Sequence, residues 1–235
     1  DGQRLVFTSP CRAEQVARDD YKGSALFIIN IDRTGLTPLP YIVGGDFDPA
    51  WSPDGMHIAF SSYRKGIIPN LYILDLADMS VIRVSRPSSN DRNPAWSPDG
   101  KKIAFENRNN GIIMLADPVE NANPTPFSKA DSTPDTHPAW APDARVLYYT
   151  QGINNTWLAA RQLEVTQAEE IRITNPENYS ASNESISHDG TWLVFERRSS
   201  KITNLFLITR NGSNLTQITD SMGRDIQPAW QPKRQ

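Results

Sequence analysis

The sequence predicts an all-β fold: a five-bladed β-propeller of four-stranded antiparallel blades, its ring closed by the C-terminal strand joining the N-terminal blade. Three observations predict it. One phrase recurs along the chain: Asp46-Phe-Asp-Pro-Ala-Trp-Ser-Pro-Asp-Gly55, Asp91-Arg-Asn-Pro-Ala-Trp-Ser-Pro-Asp-Gly100, Asp135-Thr-His-Pro-Ala-Trp-Ala-Pro-Asp143, a degraded Asn183-Glu-Ser-Ile-Ser-His-Asp-Gly190, and Asp225-Ile-Gln-Pro-Ala-Trp230. Aligned on Trp51, Trp96, Trp140, Ile186 and Trp230, the steps are 45, 44, 46 and 44 residues, the period of a four-stranded blade. The two ends complement each other, since the chain opens on Asp1-Gly2 as though a first strand were missing and residues 225–232 supply one.

The second repeat shows how each blade is read. Pro49–Ser52 is a short first strand, Pro53-Asp-Gly55 turns the chain, and His57–Ser62 alternates as a second strand. After a loop, Asn70–Leu76 forms a third strand, a turn follows at Ala77–Ser80, and Val81–Ser85 is the fourth. On this template the second strands fall at Leu5–Phe7, Ile103–Phe105, Val146–Tyr149 and Leu193–Phe195. The third strands fall at Leu26–Ile31, Ile112–Ala116, Trp157–Ala160 and Leu205–Ile208. The whole chain, 1–235, then reads as one domain with blades at 225–235 plus 1–44, 45–89, 90–133, 134–178 and 179–222. Joining the ends removes sheet edges that would otherwise recruit another chain.

Composition narrows the function. In 235 residues, 38% hydrophobic, 13 glycines and 18 prolines fall between apolar runs, as many short strands require. A net charge of -3 gives no attraction toward nucleic acid or an anionic membrane. The single Cys11 excludes an intramolecular disulfide and a cysteine metal cluster. Apolar runs such as Leu26–Ile29 are too short to cross a bilayer.

The repeated residues have different roles. A Trp at a fixed place in each first strand is expected to pack between neighbouring blades, and Ile186 keeps that place apolar. In the Pro-Asp-Gly turns proline presets the backbone, Asp caps and Gly accepts positive φ, so Asp54, Asp99, Asp143 and Asp189 are structural rather than catalytic.

The phrase Pro94-Ala-Trp-Ser-Pro-Asp-Gly100 followed by Lys101-Lys-Ile-Ala-Phe105 resembles the WD-like repeat of the TolB-like β-propeller family, and Thr216-Gln-Ile-Thr-Asp220 resembles that family's Leu-Thr blade ending. The resemblance runs over nearly the whole chain. It implies a propeller without enzymatic activity, used as a binding platform at a periplasmic or cell-surface location. The sequence departs from the pattern in having five repeats where the family's namesake has six blades and an N-terminal domain, and in a fourth repeat without its Pro and Trp. The same repeat also serves as an accessory domain in peptidases, signalling kinases and surface proteins.

In a propeller the segment entering each first strand lies at one channel mouth. The residues there are Asp46 and Asp48, Asp91 and Asn93, Asp135 and His137, Ala181 and Asn183, and Asp225 and Gln227. Loops opening on the same face carry Arg12, Arg18, Lys22, Arg64, Lys65, Arg108, Arg197, Arg198 and Lys201, an expected basic outer rim. Two readings of the acidic ring stand side by side. Each Asp can cap its turn or pair with an arginine; alternatively, carboxylates near an axis repel, and a partner's Lys or Arg or a hard cation relieves them. No cofactor is required, and Ca2+ is the metal that fits, with Asp46, Asp91, Asp135 and Asp225 as ligands. His137 would add pH sensitivity.

The expected function is a non-enzymatic platform that receives a protein segment, peptide or small polar ligand at the channel mouth, as a monomer. The alternatives are a glycosidase with carboxylates at the mouth, and an extracytoplasmic sensor or accessory domain of a larger protein. Glycoside hydrolysis needs one acid and one ionised carboxylate in distinct surroundings, whereas the Asp residues here occupy equivalent places. With only His57, His137 and His188, no Gly-x-Ser-x-Gly elbow and no phosphate loop, other hydrolases find no support.

Overall fold

The computed structural model describes residues 2–9, 21–40, 44–87, 89–129, 133–152, 156–163, 169–175, 180–199, 202–226 and 228–230. These form strands and turns with no helix among them. The strands group into five antiparallel sheets, in chain order as the repeat predicts. By contacts the chain divides into two compact units, one built from Asp1–Asn110 and Met114–Pro126, the other from Gly111–Ile113 and Phe127–Lys233.

The first unit holds three sheets. The first contains β1 (Arg4–Ser9), β2 (Ala25–Asn30) and β3 (Thr37–Pro38), with Arg4 opposite Asn30 and Ser9 opposite Ala25. It is three-stranded among the described residues; of the expected closing strand, Gln227 and 231–235 lie outside them. The second contains β4 (Asp46–Trp51), β5 (His57–Ser62), β6 (Asn70–Asp75) and β7 (Val81–Arg83). The third contains β8 (Asp91–Trp96), β9 (Ile103–Asn107), β10 (Ile112–Ala116) and β11 (Thr125–Pro126), the first two residues of β10 counting with the other unit. In the second unit the fourth sheet runs β12 (Asp135–Trp140), β13 (Val146–Gln151), β14 (Trp157–Gln162) and β15 (Ile171–Arg172). The fifth runs β16 (Ser180–Ile186), β17 (Trp192–Ser199), β18 (Ile202–Thr209) and β19 (Thr216–Gln217).

Within each unit the apolar alternation buries a layer between neighbouring sheets. Leu26 and Leu39 of the first sheet meet Ile58, Phe60, Tyr72 and Leu74 of the second, with Trp51 packed against them. Ala59, Leu71, Ile73 and Val84 of the second sheet meet Ile103 and Phe105 of the third, with Trp96 alongside. In the second unit Tyr148, Leu158, Ala160 and Ile173 meet Ala181, Leu193, Phe195, Phe206 and Ile208, and Ile186 packs there where the other repeats carry tryptophan. Each fully buried side chain of this kind contributes about 1.5–3 kcal/mol. The Trp and Ile positions therefore pack sheet on sheet, as expected.

The outer strands are the opposite case. Each has only two or three residues, and the two-residue ones are exposed, with Pro38 and Pro126 in two of them. Short edges and proline limit pairing with a second chain. What orders β7, β11, β15 and β19 is a hydroxyl just beyond the strand: Leu71 N donates to Ser85 Oγ (2.8 Å), Ile113 N to Ser128 Oγ (2.9 Å), Leu158 N to Thr174 Oγ1 (2.9 Å) and Leu205 N to Thr219 Oγ1 (3.0 Å). The recurring Ser or Thr at the end of a blade thus satisfies the backbone of the third strand.

The Pro-Asp-Gly turns close as the sequence predicts. Gly55 N donates to Ser52 O (3.0 Å) at φ +69°, and Asp54 Oδ1 accepts from Ser52 Oγ (2.5 Å) and Met56 N (2.9 Å). The same set recurs around Asp99 and Asp189, which accept from Ser97 and Ser187 hydroxyls and from the backbone of Lys101 and Thr191. These donors hold Asp54, Asp99 and Asp189 below the usual carboxylate range, the Ser hydroxyl contributing most.

Candidate binding face

The first strands begin earlier than their sequence suggests. Asp46 and Asp91 are the first residues of β4 and β8 rather than the end of a loop, and they stand opposite Ser62 and Asn107. A repeated backbone bond fixes this start: Asp46 N donates to Ser24 O (3.0 Å) and Asp91 N to Pro69 O (3.0 Å) in the first unit, and Asp135 N to Gly111 O (3.0 Å), Ala181 N to Thr156 O (2.9 Å) and Asp225 N to Thr203 O (2.8 Å) in the second. In the first four the acceptor immediately precedes a third strand, and Thr203 lies at the start of one, β18. Ala181 can replace Asp because this contact uses only main chain.

Two residues further on, every complete first strand carries a bulge. Asp48, Asn93, His137 and Asn183 have φ of 51°, 48°, 52° and 53°, and the register skips there, so that two residues oppose one. This left-handed conformation costs most side chains about 1–2 kcal/mol but is tolerated by Asn and Asp. The following Pro49, Pro94 and Pro138 lack an N–H, which the unpaired bulge does not need.

In the first unit the side chains at these two tiers are held by neighbours. Asp46, 2% exposed, accepts from the Ser62 hydroxyl and from Arg64 Nη2 (2.9 Å). The Arg64 guanidinium lies over the rings of Phe60 and Tyr72 at 4.8 and 5.0 Å, its side chain only 5% exposed. Asp91, fully buried, accepts from the Ser89 hydroxyl and Asn107 Nδ2 (2.8 Å). Burial pushes both carboxyls above the usual range, and these hydrogen bonds oppose the shift. Asp48 Oδ2 accepts from Asn93 N (3.2 Å) and Ser61 Oγ (3.3 Å), and Asn93 Nδ2 donates to Glu106 Oε1 (2.6 Å). Glu106, itself 1% exposed, also accepts from Arg108 Nε (3.1 Å). Arg92 completes the group by donating to Tyr63 OH (2.8 Å) while lying over Phe47.

The second unit builds a parallel set. Asn183 Nδ2 donates to Glu196 Oε1 (2.7 Å), Thr150 Oγ1 donates to Glu184 Oε2 (2.7 Å), and His137 Nδ1 lies 3.1 Å from Thr136 Oγ1. Asp135 is buried opposite Gln151, and Asp225 is half-buried. Arg197 and Arg198, expected in a loop, lie on the long strand β17 opposite Asn204 and Thr203; Arg197 covers the Phe206 ring at 4.7 Å and Arg198 is exposed. Gln227, with Arg12, Arg18 and Lys201, falls outside the described residues.

Sequence reasoning missed Glu106, Glu184, Glu196 and Arg92, all at most 7% exposed. For Glu106 and Glu196 the signal was an acid set directly behind an apolar triplet, in Ile103-Ala-Phe-Glu106 and Leu193-Val-Phe-Glu196; Glu184 and Arg92 carry no such signal. Among the described residues no three His, Cys, Asp or Glu side chains gather as a group that could hold a metal ion.

Five sheets of this repeat, four of them with a bulged first strand and a hydroxyl-capped outer strand among the described residues, define a β-propeller of WD-like blades. The sequence model of the TolB beta propeller domain family matches residues 1–177, and the chain belongs to that family. Among solved structures it is similar to TolB from Acinetobacter baumannii, with 21% identity and a TM-score of 0.75 over 89% of this chain and 52% of that one. It is also similar to the putative TolB from Agrobacterium tumefaciens (21% identity, TM-score 0.69, 93% of this chain and 70% of that one). The β-propeller domain of the Trilobed protease from Pyrococcus furiosus matches at 11% identity and TM-score 0.58, over 95% of this chain and 82% of that one. Such likenesses show a shared fold, and the chain spans about half (52%) of the Acinetobacter protein's length. No curated protein matches the chain significantly. No helix among the described residues is long and apolar enough to cross a membrane.

Proposed function

We propose that the chain is a non-enzymatic recognition module of the TolB type, which takes a protein segment, a peptide or a small polar ligand on the edges where its first strands begin. One observation carries the reading: the acidic groups of that edge are held by fixed donors, as Glu106 is by Asn93 and Arg108, beneath cations such as Arg108 and Arg198. A proton-transferring carboxylate pair needs two unlike environments, and tethered acids suit a rigid recognition surface instead. Ca2+ does not enter the proposal, because a cation at Asp46 or Asp91 would displace the Arg64, Ser62 and Asn107 donors already there. The family likeness favours a periplasmic or cell-surface setting, either alone or as a domain of a larger protein.

The test is selection of a displayed random-peptide library on the immobilised chain, repeated with Arg108→Glu and Arg198→Glu. Arg198 is exposed, so the thermal midpoint of its variant should hold, whereas Arg108→Glu sets a second carboxylate beside the buried Glu106 and should lower it; in both, recovered peptides should lose binding about tenfold or more. No enrichment on the native chain, or enrichment indifferent to both reversals, refutes the reading.

A further inference from the structure

The opposite edge, which carries the Pro-Asp-Gly turns, offers a different site. A groove lies on this edge between successive sheets, and it can be compared in the two units position by position. Between the second and third sheets it encloses about 240 Å3, lined by Asp54, Ile73, Ile82, Trp96 and Pro118 among others. Between the fourth and fifth sheets the groove is lined by Asp143, Ala160, Ile171 and Arg210 among others, with Ile186 in the core cluster of the same two sheets, and its volume is about 780 Å3. Trp96 gives way to Ile186, Ile73 to Ala160 and His57 to Val146, each a smaller side chain. Tyr148 stands where the second sheet has Ala59; it refills part of the core and brings a phenol to the pocket.

The two linings also differ in chemistry. The smaller groove is closed by tryptophan, with the His57 ring 6.3 Å from Trp96, and by His57 held 3.6 Å from both Asp54 and Asp75. In the larger one the floor is apolar, from Val146, Ile171, Ile173 and the Tyr148 ring, and the rim carries Arg145 and Arg210 together with Asp143 and Glu169. Neither guanidinium is in a salt bridge among the described residues, whereas Asp143 is occupied by its turn amide at 2.9 Å. Arg161 is turned away, its Nη1 on Phe127 O at 2.5 Å and its guanidinium over the Phe127 ring. Arg210 lines the same groove as Tyr148, whose phenol burial pushes up and the Arg210 charge draws down. Volumes of roughly 300–1,000 Å3 with apolar walls and a few polar groups are those of small-molecule sites.

We infer that the groove between the fourth and fifth sheets, opened by the loss of the repeat's tryptophan, is a binding site for a small aromatic anion. The ring system lies on the apolar floor of Val146, Ile171, Ile173 and Tyr148, and the anionic group meets Arg210 and Arg145. The site is independent of the recognition edge proposed above and uses none of its residues.

The experiment titrates the full chain with anilinonaphthalene sulfonate, an aromatic anion whose fluorescence rises in apolar surroundings. The native chain should bind at one saturable site. Ile186→Trp, which restores the repeat residue, should weaken binding by about tenfold or more, and Arg210→Glu should do the same through charge alone. Arg210 is exposed, so its variant keeps the question decidable if Ile186→Trp fails to fold. An absence of binding by the native chain, or equal binding by native and variants, overturns the inference.

Discussion

Asn93 separates backbone strain from side-chain anchoring. Its φ of 48° places it in the left-handed region, and its Nδ2 donates to Glu106 Oε1 at 2.6 Å, on a carboxylate 1% exposed. Asn93→Gly keeps the conformation at no steric cost but removes a hydrogen bond to a buried charged group, worth about 1.5–3 kcal/mol, and loosens the unfolded chain by about 0.5–1 kcal/mol. Asn93→Ala loses the same hydrogen bond and carries in addition the left-handed penalty of about 1–2 kcal/mol. Glu106 retains Arg108 in both variants, so neither leaves the carboxylate bare. The expected order in urea unfolding is native, then Gly, then Ala, with Gly about 2–4 kcal/mol below native and Ala up to about 1.5 kcal/mol below Gly. Asn183, at φ 53° and 2.7 Å from Glu196, should give the same order in the second unit. An Ala variant as stable as the Gly variant at both positions would show that the bulge does not impose its backbone. Variants within about 0.5 kcal/mol of native would remove the anchoring role as well.

The Arg64–Asp46 pair should show its burial in a pH series. Arg64→Met leaves a buried carboxylate with only the Ser62 hydroxyl and should cost about 3–5 kcal/mol at pH 7.5. Burial already raises Asp46, so folding favours its protonated form; without Arg64 the shift widens, and the deficit should shrink as pH falls through the folded value toward the unfolded one. A deficit constant from pH 7.5 to pH 4.5 would contradict this account. The turn aspartates have the opposite sign: Asp99 is held low by the Ser97 hydroxyl and the Lys101 amide, so its stabilisation is present above the unfolded value and lost in acid. Ser97→Ala should therefore lower the thermal midpoint more at neutral pH than at pH 3, and an equal loss at both would refute that assignment.

Much of the fold was legible because the same physical demand recurs at the same place. Trp51 and Trp96 fill the seam between sheets, Gly55 and Gly100 accept positive φ, and Ser85 and Thr219 cap a backbone amide; each has one residue type that serves best. The candidate site was harder, since Asp and Asn serve both a left-handed backbone and a ligand. Asp48, Asn93, His137 and Asn183 read as ligand-facing residues, yet the bulge alone favours such side chains. Arg64 read as a rim cation because its loop is polar; that its guanidinium folds back over Phe60 and Tyr72 depends on a seam no local pattern reveals. Glu106 and Glu196 were overlooked for the converse reason: a carboxylate in an apolar strand becomes tolerable only when a bulge on the neighbouring strand presents an amide.

The departures from the repeat carry information that the repeats do not, and in the second unit they gather about one place. Ala144 occupies the turn position filled by Gly55, Gly100 and Gly190 elsewhere, at φ 58°, where alanine is strained. Ala141 replaces the serine that binds the turn aspartate in the other three turns, Ala160 replaces Ile73, and Ile186 replaces tryptophan. Ala160 lines the large groove, as do Asp143 and Arg145 on either side of Ala144, while Ala141 and Ile186 belong to the core beneath it. Loss of packing and of turn bonding each destabilise on their own, by about 1 kcal/mol for a missing cap or a left-handed alanine. Substitutions that only weakened the fold would have no reason to gather at one groove and the core beneath it, whereas substitutions that enlarge it and bring arginines to its rim all act in one direction.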